Sequence, residues 1–223
     1  MHFLHACVIV FPMNQINYQK KLDEILAEGD TRSKRLLLHC CCAPCASHCL
    51  TVLEGKIGIT AYYYNPNITD GAEHDKRAEE LKRLVGILNS EYPEASIDYE
   101  LGSFEPELFF EAARGLEKEP ERGARCAKCF ELRLRDTARK AKAEGYDFFA
   151  TTLTLSPLKD ARLINDIGER IATEEGVLWL PSDFKKQEGF KHSVELSEKY
   201  GLYRQDYCGC PFSKRGKTDE ENT

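Results

Sequence analysis

Short apolar runs alternate with amphipathic stretches along most of the chain. Five of the runs are nearly continuous, as in strands that are covered on both faces. They predict strands at residues 34–40, 57–64, 95–101, 146–152 and 177–180. Between them, apolar positions recur with a helical period. This pattern predicts helices at residues 47–53, 73–88, 106–115, 130–144, 161–174 and 188–200.

The alternation of strands and helices predicts an α/β fold with a mostly parallel sheet and helices on both faces. We expect a single Rossmann-like domain at residues 35–213, in the layout of the HUP and PP-loop proteins. Residues 1–34 are expected to be an extension with one amphipathic helix at 14–26, and residues 214–223 a polar tail. Ligands of such sheets bind at the carboxyl ends of the strands. Two segments follow predicted strands there, Cys41-Cys42 and residues 151–156.

Composition narrows the classes of protein that fit. The chain has 223 residues, of which 42% are hydrophobic, enough for a core of this size. It has no apolar run near the roughly 18 residues of a membrane span. Residues 1–11 lack the basic start and cleavage site of a secretory signal, so we expect a cytoplasmic protein without membrane contact. The net charge of −6 means that a nucleic-acid partner would need a local basic patch.

The ten cysteines are not distributed as in a disulfide scaffold. Nine of them fall into three clusters, at positions 40, 41, 42, 45 and 49, at 126 and 129, and at 208 and 210. The tenth is Cys7. Clustered cysteines in an apparently cytoplasmic chain favour metal or redox chemistry.

Two of the clusters together offer four metal-binding thiolates. Adjacent Cys41 and Cys42 do not bridge each other easily, but both can bind a metal. Cys126 and Cys129 add two ligands at the spacing that metals favour. Four thiolates satisfy a [4Fe–4S] cluster or a tetrahedral zinc. A CxxC pair alone is equally typical of a structural zinc half-site or of two incidental cysteines.

The third cluster is Cys208-Gly209-Cys210. A disulfide between these two cysteines closes a very small ring, which the glycine makes feasible. Such a bond is strained and therefore exchanges easily. The alternatives are two further metal ligands or two free thiols.

Basic residues are concentrated at residues 122–142. Within this span only Glu131 and Asp136 oppose them. The stretch predicts contacts with nucleic-acid phosphates, with an ordinary solvated helix face as the alternative. Its basic members are Arg122, Arg125, Lys128, Arg133, Arg135, Arg139, Lys140 and Lys142.

Five sequence blocks between residues 35 and 213 occur in a distinctive order. They are HCCCAPC at 39–45, YNPNI at 64–68 with Arg77 downstream, EPERGARCAKCF at 119–130, TTLTLSPLK at 151–159, and DFKK at 183–186 continuing to YRQDYCGC at 203–210. Together they closely resemble the epoxyqueuosine reductases of the QueH type.

The resemblance implies a specific activity, the reduction of the epoxide of epoxyqueuosine to queuosine at the wobble position of tRNA. By position, it implies that Cys41, Cys42, Cys126 and Cys129 bind a [4Fe–4S] cluster. Cys208 and Cys210 would be the redox-active catalytic pair.

The implied partners are a tRNA with epoxyqueuosine in its anticodon loop and an unidentified electron donor. An additional iron is a further implied cofactor. Cys45 is left unassigned, and Cys7, Cys40 and Cys49 are expected to be buried free thiols.

The implied reaction also needs an acid or Lewis acid to help the oxygen leave. Asp206, His39 and a free iron site are candidates.

Two other functions are open. An ATP-using tRNA-modifying enzyme of the PP-loop type would need a Ser-Gly-Gly-x-Asp-Ser-like phosphate loop after the first strand, where this chain has Cys41-Cys42-Ala43-Pro44. A structural-zinc RNA-binding module would explain four cysteines and the basic stretch, but not Cys208-Gly209-Cys210.

Overall fold

The computed structural model describes residues 16–28, 30–94 and 96–213. Three expectations lie outside this range: the lack of a secretory signal in residues 1–11, the buried state of Cys7, and the polar tail at residues 214–223. No helix in the described part of the chain is both long enough and apolar enough to cross a membrane.

A five-stranded parallel sheet forms the centre of the molecule, and all five predicted strands are confirmed. The strands are β1 Arg35–His39, β2 Gly58–Tyr63, β3 Ile97–Leu101, β4 Phe148–Thr151 and β5 Leu178–Trp179. Their order across the sheet is β3-β2-β1-β4-β5, as in a doubly wound Rossmann-like sheet. β1 is central, and its Leu37 pairs with Thr60 of β2 and with Phe149 of β4.

Helices cover both faces of this sheet. In the described residues they are α1 Tyr18–Ala27, α2 Ala43–Leu53, α3 Gly71–Glu91, α4 Pro106–Ala113, α5 Ala124–Ala143, α6 Ala161–Glu175 and α7 Gly189–Lys199. The leucines of β1 alternate between two cores. Leu36 and Leu38 pack with α2 and α3, whereas Leu37 packs with α5 and α6. The predicted α/β class is therefore confirmed.

Two helices begin earlier than the sequence pattern predicts. α2 begins at Ala43 instead of residue 47, with Pro44 in its first turn, where a missing N–H leaves no hydrogen bond unmade. α5 begins at Ala124 instead of residue 130. The buried face of α5 includes Arg125 and Arg133, and these charged residues hide its helical period. The predicted helix at residues 130–144 therefore leaves out Cys126 and Cys129, which both lie at the start of α5.

Helix α1 lies within the predicted extension and packs against the rest of the molecule. Leu22 is fully buried in the core on the α2 side, and the Tyr18 hydroxyl donates a hydrogen bond to Asp166 of α6 at 3.2 Å. Residues 14 and 15 of the predicted helix lie outside the described range. The boundary between extension and domain at residue 34 stays a prediction.

The carboxyl ends of β1, β2 and β4 meet at one edge of the sheet. His39 ends β1 and pairs in register with Tyr62 of β2 and Thr151 of β4. Its ring joins the three strand ends, with Nδ1 2.8 Å from Thr151 Oγ1 and Nε2 3.1 Å from the Tyr64 carbonyl. The segments that follow these strands therefore start side by side.

The contact between α6 and β5 generates a test of the packing. An added Cβ at Gly168 would overlap the Trp179 indole, so we expect Gly168→Ala to lower the free energy of unfolding by about 1–3 kcal/mol through overpacking. Gly86, in the exposed middle of α3, has open space around it. There, Gly86→Ala should raise the free energy of unfolding by about 0.5–1 kcal/mol. Urea unfolding of both variants measures the two values, and equal signs would contradict the packing described here.

Candidate functional site

A cavity of about 230 Å³ opens at the carboxyl edge of the sheet. Its walls come from the loop after β1, the loop after β4 and the segment that follows α7. Cysteines from two of these parts line it, Cys41, Cys42 and Cys45 on one side and Cys208 on the other. Lys159, from the loop after β4, lines the cavity as well.

The start of α2 brings three thiols together. Cys42 is the N-cap of α2 and Cys45 lies in its first turn, so both face the positive end of the helix dipole, which favours thiolates. The Sγ atoms of Cys41 and Cys42 are 3.8 Å apart. Together with Cys45, their sulfur atoms all lie within 4.8 Å of one another, close enough to hold a metal ion.

Cys41 is the most acidic thiol of this group. Hydrogen bonds from the thiols of Cys42 and Cys45 hold its pKa well below the ordinary value, and Lys159 and the Thr152 hydroxyl add to the effect. The same interaction with Cys41 raises the pKa of Cys42 to about 12 and that of Cys45 well above its usual range. The group therefore holds its first negative charge on Cys41.

The other predicted cysteine pair lies at the start of α5. Cys126 is half-buried, and its sulfur accepts a hydrogen bond from the Arg122 amide at 3.2 Å. Cys129 is buried in a small apolar cluster with Phe109 and Ala113 of α4 and with Cys210. Burial raises the pKa of Cys129 to about 12. Cys129 and Cys210, from two different cysteine segments, are therefore buried in the same cluster.

One buried cation lies close to all three cysteine segments. Arg133 of α5 is 1% exposed, and its Nε donates to the Cys129 carbonyl at 3.2 Å, while its Nη2 has no hydrogen-bond partner. Burial alone would lower the pKa of this guanidinium, but the facing sulfurs raise it overall. They belong to Cys129, Cys208, Cys41 and Cys126.

Lys159 is a second cation of the site. Burial lowers the pKa of its ammonium, but the thiols of Cys208, Cys41 and Cys45 outweigh this effect and raise the pKa overall. Lys159 therefore stays charged beside the thiols. The sequence analysis missed it because a lysine in a loop gives no signal of burial.

Cys45 was also left unassigned in the sequence analysis. The three-residue spacing between Cys42 and Cys45 indicates that they are close only if the helix begins at Ala43, because the first turn then brings both side chains near each other.

The two other cysteines of this region behave as expected. Cys40 and Cys49 are fully buried, burial raises the pKa of each thiol, and neither is joined in a disulfide.

The basic stretch at residues 122–142 is not the open cationic face that the sequence suggested. Arg133 is buried, so the expectation that it contacts phosphate is wrong. Arg125 is buried as well, and its Nη1 binds the carbonyls of residues 116, 117 and 119. Arg135 pairs with Glu131, Glu174 and Glu175, and Arg139 pairs with Glu175. Much of the outer face of α5 is thus neutralised by acidic partners.

The two side-chain candidates for the proton donor differ in position. His39 is fully buried with both ring nitrogens engaged, and burial lowers its pKa to about 3. It is therefore neutral and shielded from the cavity. Asp206 is exposed and lines the cavity.

The Cys208-Gly209-Cys210 segment has the backbone that its glycine suggests. Gly209 has a φ of 97°, in the left-handed region that favours glycine. Cys208 reaches the cavity, whereas Cys210 is buried beside Cys129. The nine cysteines in the described residues are not joined by disulfides.

Comparison with known proteins supports one family. The family model described as epoxyqueuosine reductase QueH matches residues 36–216. A curated relative from Staphylococcus epidermidis with this name is 41% identical over 203 residues, covering 89% of this chain and 85% of the relative. The relative of the same name from Streptococcus pyogenes serotype M1 is 38% identical over 92% of this chain and 80% of its own.

A more distant relative from Thermotoga maritima, also named epoxyqueuosine reductase QueH, is 34% identical over 80% of this chain and 89% of its own. The residues that the family model matches, 36–216, include all three cysteine segments and all of the sheet except Arg35. The chain therefore belongs to the epoxyqueuosine reductase QueH family and is an oxidoreductase.

Proposed function

We propose that this chain reduces the epoxide of epoxyqueuosine in tRNA to give queuosine. In this proposal Cys41, Cys42, Cys126 and Cys129 hold a [4Fe–4S] cluster, and Cys208 and Cys210 are the redox-active pair. The observation that carries the proposal is the buried Arg133 guanidinium. It lines the same cavity as Cys41 and Cys208, binds the Cys129 carbonyl, and has an unpartnered Nη2.

The chemistry of these donors fits an anionic cluster. A buried charge without a partner costs several kcal/mol, so a buried arginine with an open N–H indicates a negative group nearby. An iron–sulfur cluster held by four thiolates is such a group. When bound, the cluster would supply electrons one at a time. Of the proposed ligands, Cys41 is half-exposed at the cavity and Cys129 is buried in the interior.

The dithiol accounts for the stoichiometry of the reaction. Converting an epoxide to an alkene takes two electrons and two protons and releases one water. Two thiols that become one disulfide give up two electrons and two protons. Cys208 lies at the cavity, where it can meet a substrate. An electron donor must then reduce the disulfide before the next turnover.

Groups on the cavity wall can pass the protons that the dithiol releases to the epoxide oxygen. Lys159 is held charged beside Cys41 and Cys208, and Asp206 reaches the same space. His39 is unsuited, because its two nitrogens bind Thr151 and the Tyr64 carbonyl.

The tRNA is expected to bind at the mouth of the cavity rather than along α5. Of the four cations that line the cavity, Lys159 and Arg204 are the two that are not buried. The exposed apolar side chains of Leu158 and Phe190 line it as well. Exposed apolar groups next to cations suit an unstacked base and its phosphates. The outer face of α5, in contrast, has its arginines paired with glutamates.

A structural-zinc module is the second candidate, and one distance favours it. The 3.8 Å between the sulfurs of Cys41 and Cys42 equals the edge of a tetrahedral thiolate site, about 3.8 Å for metal–sulfur bonds of about 2.3 Å. An additional iron bound by Cys41, Cys42 and Cys45 would fit this distance equally well. Metal analysis separates these cases.

Anaerobically purified protein is expected to contain iron and acid-labile sulfide. Serine replacements at Cys41, Cys42, Cys126 and Cys129 should each remove most of the iron, because each deletes a cluster ligand. Cys49→Ala is the matched control. It changes a buried cysteine of the same helix as Cys45 that has no proposed role, and it should retain the iron. Zinc in place of iron and sulfide would support the structural module instead.

The same measurement tests the role of the buried cation. Arg133→Gln should lower the iron retained, since the anionic cluster loses its charge partner, whereas Arg135→Gln on the same helix should leave it unchanged.

Cys208→Ser and Cys210→Ser should each keep the iron content and visible absorption of the parent. Each should nevertheless lose multiple turnovers on tRNA that contains epoxyqueuosine, because a lone thiol cannot complete the disulfide. The readout is queuosine formed per enzyme, measured by mass spectrometry of digested tRNA. Loss of iron in these variants would make the residues metal ligands, and full turnover would remove them from the active site.

Arg204→Gln should weaken tRNA binding and reduce the slope of log affinity against log salt by about one. Arg135→Gln is the control, since its guanidinium already pairs with three glutamates. Binding titrations at several salt concentrations give both slopes. Equal losses in the two variants would place the tRNA on α5 after all.

A further inference from the structure

Two buried side chains hold the backbone beside the first thiol of the Cys208-Gly209-Cys210 segment. Asn67 donates its Nδ2–H to the Cys208 carbonyl at 3.3 Å. Arg77, from α3, donates to the same carbonyl at 3.4 Å and to the Tyr207 carbonyl at 3.5 Å. Arg77 is 2% exposed. The chain thus uses a buried arginine to bind two consecutive carbonyls of the segment that carries the thiols.

The arginine is itself fixed in place. Its Nε donates to Glu73 Oε1 at 2.7 Å, and Nη2 lies 2.6 Å from the same oxygen. Glu73 also accepts a hydrogen bond from the Tyr203 hydroxyl, at 3.2 Å. The Glu73 carboxylate therefore orients Arg77 and also holds Tyr203, which precedes Cys208 in the chain.

The residue between the two thiols is pressed against this arrangement. A Cβ added to Gly209 would lie 2.6 Å from Ile68 Cγ1 and 3.2 Å from Arg77 Nη1. The φ of 97° at Gly209 is also strained for any residue with a side chain. The backbone between Cys208 and Cys210 is therefore held in one conformation by contact as well as by hydrogen bonds.

We infer that Arg77 is a positioning residue for the Cys208–Cys210 dithiol. This inference rests on the proposed function, in which the two thiols form a disulfide as the epoxide is reduced. In that step the dithiol loses two electrons and two protons, the protons leave with the epoxide oxygen as water, and an S–S bond forms. Arg77 also lines the cavity, but in this scheme it acts by fixing the Cys208 carbonyl and exchanges neither electrons nor protons with the substrate.

The physical reason is preorganisation. Closing so small a ring demands a narrow range of backbone angles, and an unrestrained segment would lose conformational entropy to reach them. The hydrogen bonds from Arg77 and Asn67 impose this restriction when the protein folds. Removing them should therefore make disulfide formation less favourable and leave the cluster ligands unaffected.

Helix α3 supplies a matched control in Arg83. Arg83 also pairs with a glutamate of its own helix, Glu80, at 2.8 Å. It also donates to two consecutive carbonyls, those of Tyr200 and Gly201, at 3.1 and 3.2 Å. These carbonyls lie several residues before the thiols. Loss of Arg83 therefore removes comparable bonds from the same chain segment without touching the dithiol.

The experiment equilibrates anaerobic holoenzyme with mixtures of glutathione and glutathione disulfide. As the protein disulfide forms, one glutathione disulfide is reduced to two molecules of glutathione. After alkylation and digestion with trypsin, the peptide of residues 205–214 contains Cys208 and Cys210 as its two cysteines. Mass spectrometry of this peptide gives the dithiol–disulfide ratio. Arg77→Gln should reduce the equilibrium constant for disulfide formation about tenfold, the effect of losing one hydrogen bond to a charged group. Arg83→Gln should match the parent.

The readouts distinguish the possible failures. An equilibrium constant for Arg77→Gln that is equal to or above that of the parent would overturn the inference while leaving the proposed function intact. A parent protein that forms no disulfide at any glutathione ratio would overturn the dithiol mechanism and the inference with it. The iron content and visible absorption of Arg77→Gln should equal those of the parent.

If Arg77→Gln does not fold, Asn67→Ala provides the test instead. It removes a bond to the same carbonyl and should shift the equilibrium in the same direction.

Discussion

The site depends on the burial of Arg133 at the carboxyl edge of a parallel sheet. The sheet brings the ends of β1 and β4 together, and α5 packs across them with this arginine on its inner face. A guanidinium in the interior is stable only if negative or strongly polar groups surround it. Here the surrounding groups are the Cys129 carbonyl and sulfurs from three separate cysteine segments. The fold thus concentrates thiols around one cation, which offsets part of the rise in pKa that burial causes at Cys129.

Helix α5 separates two kinds of electrostatic surroundings. Its inner face contains the cysteines and the unpaired Nη2 of Arg133. Its outer face is joined to α6 by ion pairs of Arg135 and Arg139 with glutamates. Exposed pairs of this kind contribute little each, but they remove the positive potential that a nucleic acid would follow.

Sequence reasoning predicted the architecture well for a definite reason. Each strand is an apolar run, and such a run indicates both that the segment is a strand and that it is buried on two faces. The four cysteines assigned to the cluster, and Cys208 and Cys210, could be named because they stand in motifs of a known family, and their roles remain predictions. The starts of α2 and α5 could not be predicted, because proline, cysteine and buried arginine replace the usual apolar positions there.

The electrostatic role of individual residues was the part that the sequence hid. Arg133 and Arg135 are two positions apart and chemically identical, yet one is buried among sulfurs and the other binds glutamates at the surface. Which of them faces inward depends on how α5 packs against the sheet. The approach of Cys45 to Cys41 and Cys42 was hidden for another reason, because it follows from a helix that begins at Ala43.

The pairing of β1 with β4 has a consequence for how the protein is made. Cys41 bonds to Thr152, 111 residues further along the chain, and such distant contacts form late because the loop between them must close first. During synthesis the three cysteine segments leave the ribosome one after another, and the segment with Cys208 and Cys210 is the last of the three. The cavity is therefore completed only when the segment after α7, which forms one of its walls, has reached the edge of the sheet.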